Sequence, residues 1–291
     1  MTQKLNNVKE FVNSIDTFIF DCDGVLWLGS TIVEKAVETL QYLRALKKDI
    51  KFVTNNSTKT REQFMEKIKS YGIECYLNEI YGSSFGTAIY LNKIGFNNKK
   101  VFIIGEYGLQ KELNDQNIQT VKEVTRLNDG IDNVQNIQVE SDIGAVVVGM
   151  DTCLTYQKAV YAHKAIVENN ALFIATNTDT SYPIKNGKSI PGAGSIVSMI
   201  STSTAKQPII IGKPETLLLD LIIEKDKLNR ERTCMIGDRL DTDILFGING
   251  NIKTLLVLTG ISKLEEISQP NSPIIPNYYT DTVSDLLLHK E

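Results

Sequence analysis

Short apolar runs, each closing on a cluster of acidic or small polar residues, recur along the chain and restrict it to an α/β arrangement. The first is Phe18-Ile19-Phe20, followed by Asp21-Cys22-Asp23-Gly24-Val25-Leu26-Trp27-Leu28-Gly29. The run reads as a buried strand, and the Asp-x-Asp-Gly as the turn at its C-terminal end. Side chains two apart in an extended segment point the same way, so Asp21 and Asp23 are expected to face one ligand while Cys22 is directed elsewhere. Two close carboxylates repel and call for a metal, a shared proton or a cation beside them. Mg²⁺ suits such a pair, because it favours carboxylate oxygens and completes its shell with water and substrate phosphate. Taken alone, however, Asp-x-Asp-Gly is equally an ordinary turn, so its companions decide.

Those companions stand at later strand ends. Residues 34 to 47 carry an amphipathic helical pattern, and Ile50-Lys51-Phe52-Val53 then closes on Thr54-Asn55-Asn56-Ser57-Thr58. Thr54 and the amides after it can donate hydrogen bonds to a phosphate, while Ser57 and Thr58 also suit capping of a helix from Arg61 to Tyr71. Pro208-Ile209-Ile210-Ile211 delivers Gly212-Lys213-Pro214-Glu215, putting an ammonium at a strand end. Thr233-Cys234-Met235-Ile236 leads into Gly237-Asp238-Arg239-Leu240-Asp241-Thr242-Asp243, and a helix is expected from Asp243 to Gly250. A parallel sheet gathers its ligands outside the C-terminal ends of its strands, so the clusters at Asp21, Thr54, Lys213 and Asp238 are expected on one edge.

Between the second and third of these clusters the strand and helix alternation restarts. Asn97-Asn98-Lys99-Lys100 is a polar break and is taken as a domain boundary; apolar runs at Val101–Ile104, Ala145–Val148 and Leu172–Ala175 follow, with helices near Leu109 to Leu113 and from Tyr156 to Glu168. The Asn-rich stretch from Leu127 to Gln138 reads as a solvated loop. Thr176 to Pro183 is a polar tip that reads as a turn. Asn186-Gly187-Lys188-Ser189 and Gly192-Ala193-Gly194 lack the first phosphate-loop glycine and the third dinucleotide-fold glycine, so neither supports a nucleotide site.

Composition removes several alternatives. The 291 residues are 42% hydrophobic and 23% charged, with a net charge of −4, which leaves no electrostatic footprint for nucleic acid or an anionic membrane. No apolar stretch has the length of a membrane span and residues 1 to 7 lack a signal-peptide core, so a cytoplasmic protein is expected. Cys22, Cys75, Cys153 and Cys234 show no zinc or disulfide spacing. With only His163 and His289 in the chain, a histidine-based hydrolase or metal site is poorly supplied.

The ordered set D-C-D-G-V-L-W-L-G, V-T-N-N-S, I-I-G-K-P and G-D-R-L-D-T-D-I resembles the haloacid dehalogenase superfamily over nearly the whole chain. The resemblance implies a Rossmann-like parallel-sheet core (1–96 and 208–291) with an inserted α/β cap of the C2a type (97–207), as in the NagD-like subfamily. It also implies a phosphatase. Asp21 would be the nucleophile and Asp23 the general acid/base. Thr54, Asn55, Asn56 and Lys213 would bind phosphate, and Asp21, Asp23 (through its carbonyl) and Asp238 would hold Mg²⁺, with Asp243 orienting a water on the ion. Asn177, Asp179 and Tyr182 fall in the cap segment that meets the substrate. An Asp at position 23 separates the chain from the dehalogenases and ion pumps of the superfamily. The implied substrate is a small phosphorylated metabolite, 2-phosphoglycolate first, with p-nitrophenyl phosphate as an artificial one. Pyridoxal phosphate and sugar or nucleotide monophosphates are the alternatives, and a silent binding module is the alternative of another class. A homodimer through the cap is implied as well.

Overall fold

The computed structural model describes residues 2–124, 130–184, 188–268 and 273–287. The chain divides into two compact units: one comprises Met1–Thr54, Glu62–Tyr81 and Lys213–Glu291, the other Asn55–Arg61 and Gly82–Gly212. Both are α/β, the class that the alternating apolar runs imply. Among the described residues no helix is long and apolar enough to cross a membrane.

The first unit is built on a seven-stranded sheet ordered Gln3–Lys4, Tyr278–Thr280, Lys253–Val257, Thr233–Gly237, Thr17–Phe20, Asp49–Thr54, Ile80–Gly82. The pairings from Gln3–Lys4 through Asp49–Thr54 are parallel. Thr17–Phe20 is buried throughout, as expected for a parallel strand covered on both faces. From it the chain passes first to Asp49–Thr54 on one side and returns later at Thr233–Gly237 on the other. That reversal makes Phe20 the topological switch point of the sheet, where an open α/β sheet leaves a crevice. Phe20 is level with both Phe52 and Ile236, so the residues that follow all three strands emerge together. Phe18, Phe20, Trp27, Leu40, Phe52 and Phe64 belong to the apolar cluster beneath them.

The second unit carries a five-stranded parallel sheet ordered Ile209–Ile210, Leu172–Ala175, Ile143–Val148, Lys100–Ile104, Thr120–Val121. Helices Ser83–Lys93, Tyr107–Asp115, Tyr156–Val167 and Ala193–Thr204 accompany it. Ser181–Pro183 pairs antiparallel with Ser189–Pro191, so the segment read as a simple turn ends in a paired strand.

Three expectations are corrected. The main span of the second unit runs from Gly82 to Gly212 rather than from 97 to 207, and Asn55–Arg61 joins it, because helix Ser83–Lys93 packs on Tyr107–Asp115; the polar break at Asn97–Lys100 is a helix-to-strand turn inside one unit. Likewise Ile209–Ile210 pairs with Ile174 and Ala175 of the second sheet, so the strand before Lys213 is not a core strand. The helix expected from Asp243 to Gly250 instead opens at Leu240 with a wide turn, in which the Ile244 N–H reaches the Arg239 carbonyl five residues back at 3.1 Å. Leu127, Asn186, Gly187 and His289 lie outside the described residues.

Candidate active site

Register brings the first carboxylates together. The Asp21 N–H donates to the Ile236 carbonyl at 2.9 Å, placing Asp21 beside the chain as it leaves Gly237 for Asp238. The wide turn at Leu240–Ile244 then folds Asp243 back over the same strand end. Its Oδ2 accepts the backbone N–H groups of Asp238 (3.2 Å) and Arg239 (3.1 Å). Carboxylate oxygens of Asp21, Asp238 and Asp243 lie within 4.8 Å of one another.

Lys213 enters this group from the loop after Gly212. Its Nζ donates to Asp21 Oδ1 at 2.6 Å, Asp243 Oδ1 at 2.7 Å and the Val53 carbonyl at 3.2 Å, and its side chain is only 3% exposed. One ammonium thus faces three carboxylates, those of Asp238 and Asp243 buried and that of Asp21 partly so. Burial pushes the Asp21 carboxyl well above the usual range; Lys213 opposes this, and Asp243 and Asp238 add to it. Asp238 is pushed up to about 7, first by burial and then by the charge of Asp243, against the Ile261 N–H and Lys213. Burial disfavours the Lys213 charge, but Asp21 and Asp243 outweigh it and hold the ammonium protonated. A buried set of hard oxygen donors with excess negative charge fits a divalent cation such as Mg²⁺.

The loop after Lys253–Val257 completes the enclosure, and nothing in the motif reading anticipated it. Ile261 N–H donates to Asp238 Oδ2 at 2.8 Å, Ser262 N–H to the Asp238 carbonyl at 3.0 Å, and Thr259 Oγ1 to the Gly24 carbonyl at 2.6 Å. The chain approaches so closely that a Cβ on Gly260 would lie 1.9 Å from Asp238 Oδ2, and one on Gly24 (φ +91°) 2.3 Å from it. The available signal was Thr259-Gly260 at the end of another apolar strand.

Asp23 departs from the expected direction. The strand ends at Phe20, and the Cys22 carbonyl accepts the N–H groups of Val25, Leu26 and Trp27 (3.4, 2.9 and 3.3 Å), so the segment is a turn without a two-residue period. Asp23 is 53% exposed, and its Oδ1 accepts from Trp27 Nε1 at 2.7 Å and Lys67 Nζ at 3.4 Å. Its carboxylate is absent from the three-carboxylate group, where Asp243 stands instead.

Thr54 is buried at the end of its strand in the first unit. Asn55 and Asn56 belong to the second unit, together with Asn177, Asp179 and Tyr182. Asn55 Nδ2 donates to both oxygens of Asp179 (3.3 and 3.2 Å), and its carbonyl accepts from Asn177 Nδ2 and Ser83 Oγ, each at 2.8 Å. Asn56 Nδ2 lies 3.5 Å from the Tyr182 hydroxyl, and its Oδ1 caps Thr58. The expected site residues therefore form two groups, one in each unit.

Comparison with known proteins gives a concordant picture. The family of haloacid dehalogenase-like hydrolases matches residues 18–119, and the HAD-hydrolase-like family matches residues 210–286. Phosphoglycolate phosphatase 1A, chloroplastic, of Arabidopsis thaliana is 42% identical over 99% of this chain and 81% of its own length. The 4-nitrophenylphosphatase of Schizosaccharomyces pombe is 40% identical over 98% of this chain and 99% of its own. Among solved structures, the 4-nitrophenylphosphatase of Thermotoga maritima superposes with a TM-score of 0.81 at 29% identity, covering 97% of this chain and 99% of that one.

Proposed function

Because this chain belongs to the haloacid dehalogenase-like hydrolases, and among them to the phosphatases, we propose that it hydrolyses 2-phosphoglycolate with Mg²⁺, through an aspartyl-phosphate on Asp21. The observation that carries the reading is the convergence of Asp21, Asp238, Asp243 and Lys213 at one switch point. The substrate is favoured by the 42% identity to the plant phosphoglycolate phosphatase.

Asp21, Asp238 and the carbonyl of Asp23 would hold Mg²⁺. Both oxygens of Asp243 are engaged, by Lys213 and by two backbone N–H groups, which suits it to orienting rather than direct ligation. A bound ion would supply charge neutralisation at the phosphoryl oxygens. An Asp21 oxygen forms a bond to phosphorus as the ester P–O bond breaks, and Asp23 gives its proton to the departing alkoxide. Water then attacks the same phosphorus, yields its proton to Asp23, and Asp21 leaves as the carboxylate. Thr54 and Lys213 hold the phosphoryl group in line, the larger part of catalysis in phosphoryl transfer. For the second-unit residues the family resemblance implies phosphate binding by Asn55 and Asn56 and choice of the ester by Asn177, Asp179 and Tyr182.

The test is kcat/KM with Mg²⁺ for 2-phosphoglycolate, glycerol 3-phosphate, pyridoxal phosphate and p-nitrophenyl phosphate, since that ratio reports discrimination between transition states. Among the metabolites, 2-phosphoglycolate is expected to lead by at least tenfold. A lead for either of the other two metabolites overturns the substrate assignment. Hydrolysis of none of the four overturns the reaction.

A further inference from the structure

We propose that Trp27, with Lys67, positions Asp23 by anchoring its Oδ1, so that Oδ2 is the one oxygen of that carboxyl that exchanges protons with the leaving group and the water. The inference rests on the reading of Asp23 as general acid and base.

Trp27 has 0% exposure, whereas the Asp23 side chain it bonds is 53% exposed. The indole is stacked on Tyr71, with ring centres 5.1 Å apart at 19°, and Phe64 lies 6.3 Å away, so Nε1–H occupies a fixed place. Asp23 and Trp27 are also bridged through the backbone, and the Gly24 N–H donates to the Trp27 carbonyl at 2.8 Å. Carboxyl and indole are therefore carried by one rigid turn.

Lys67 adds a second donor to the same oxygen. Its ammonium lies 4.4 Å from the centre of the Trp27 ring and 3.4 Å from Asp23 Oδ1, and the side chain is 26% exposed. Among the described residues no hydrogen bond or ion pair reaches Asp23 Oδ2. With Oδ1 held by the indole N–H and the ammonium, Oδ2 is the oxygen left to meet the reacting group. A carboxyl this exposed would otherwise rotate among several poses, and proton transfer requires one held within hydrogen-bond reach of the reacting oxygen.

A plain structural role, in which Asp23 merely satisfies the N–H of a core tryptophan, predicts a different outcome. The variant that separates them is Trp27→Phe, which keeps a ring and removes the donor. It is assayed for kcat/KM on 2-phosphoglycolate and on p-nitrophenyl phosphate. Because kcat/KM covers only the steps through departure of the first product, hydrolysis of the phosphoenzyme does not mask the effect. An alkoxide needs a proton to leave and p-nitrophenolate does not. The ratio of the two kcat/KM values, alkyl over aryl, is expected to fall by about tenfold or more in Trp27→Phe, within the range that general acid catalysis contributes. Equal losses on both esters, or no loss, overturn the proposal. If Trp27→Phe does not fold by circular dichroism, Lys67→Met decides, with a fall in the same ratio expected and an unchanged ratio contradicting it. A wild-type protein that hydrolyses neither ester overturns the phosphatase reading instead.

Discussion

Lys213 donates to Asp21 at 2.6 Å although 192 positions separate them, and it reaches Asp21 with a side chain that is almost wholly buried. Breaking a buried pair by removing one partner leaves an uncompensated charge and costs about 3–5 kcal/mol. Lys213→Met is therefore expected to lower the melting temperature, with a larger drop in chelator than in excess Mg²⁺, since the ion relieves the same repulsion. Equal melting temperatures for variant and wild type in chelator would show that the ammonium does not balance these carboxylates.

Metal binding should depend on pH. Asp238 is pushed up to about 7 by burial and by Asp243, so below that pH it carries a proton that must leave before the oxygen can ligate an ion. The sign follows: affinity rises as pH rises through 7. One competing proton weakens binding at pH 6 by about tenfold relative to pH 8. Calorimetric Mg²⁺ titrations at the two values check this, and equal affinities would contradict it.

The glycine contacts give a paired test. A Cβ at Gly260 would press on the Asp238 carboxylate at 1.9 Å, whereas at Gly29 (φ +62°) it would meet nothing within 4 Å. Gly29→Ala meets only the backbone cost of a left-handed alanine, about 1–2 kcal/mol. Gly260→Ala is expected to weaken Mg²⁺ binding by at least tenfold beyond the Gly29 variant. Comparable affinities in the two would mean that the 259–262 loop does not shape the metal site.

The legibility of this site in the sequence follows the chemistry of its parts. Asp21 and Asp238 are legible because each carries a reactive side chain at the end of an apolar run, and a parallel sheet converts such ends into neighbours; Lys213 follows a strand of the other sheet and Asp243 is folded back by the wide turn, so only their residue types mark them. Ile261 and Ser262 act on Asp238 through backbone N–H groups, which any residue type could supply, so no letter marks them. Strand periodicity turns Asp23 the same way as Asp21, toward one ligand, but three N–H groups converging on the Cys22 carbonyl end that periodicity before Asp23. Ile209–Ile210 carries a strand pattern that says nothing of its partner, and pairing with Ile174 and Ala175 puts it in the second sheet. The unit boundary at Gly82 is hidden for a related reason, since a helix buried from Ser83 through Ala88 has no polar seam at its start.

Within the second unit, Asn55 is tied to both oxygens of Asp179. Asp179→Ala removes the carboxylate that the Asn55 amide meets and is expected to change KM more than kcat, by about threefold to thirtyfold, as the loss of roughly one or two hydrogen bonds implies. The stability change should stay small, because the Asn177 bond to the Asn55 carbonyl is untouched. A variant with wild-type KM for every ester would remove Asp179 from substrate selection.

The central claim is that Asp21 is the nucleophile, and the most direct measurement is acid-quenched mass spectrometry of the peptide bearing it, taken during turnover of 2-phosphoglycolate with Mg²⁺. One phosphoryl group on Asp21 is predicted for the wild type and none for Asp21→Asn, whose turnover should fall by at least about 10³. A phosphoryl group on another residue, or full turnover by Asp21→Asn, would contradict the account.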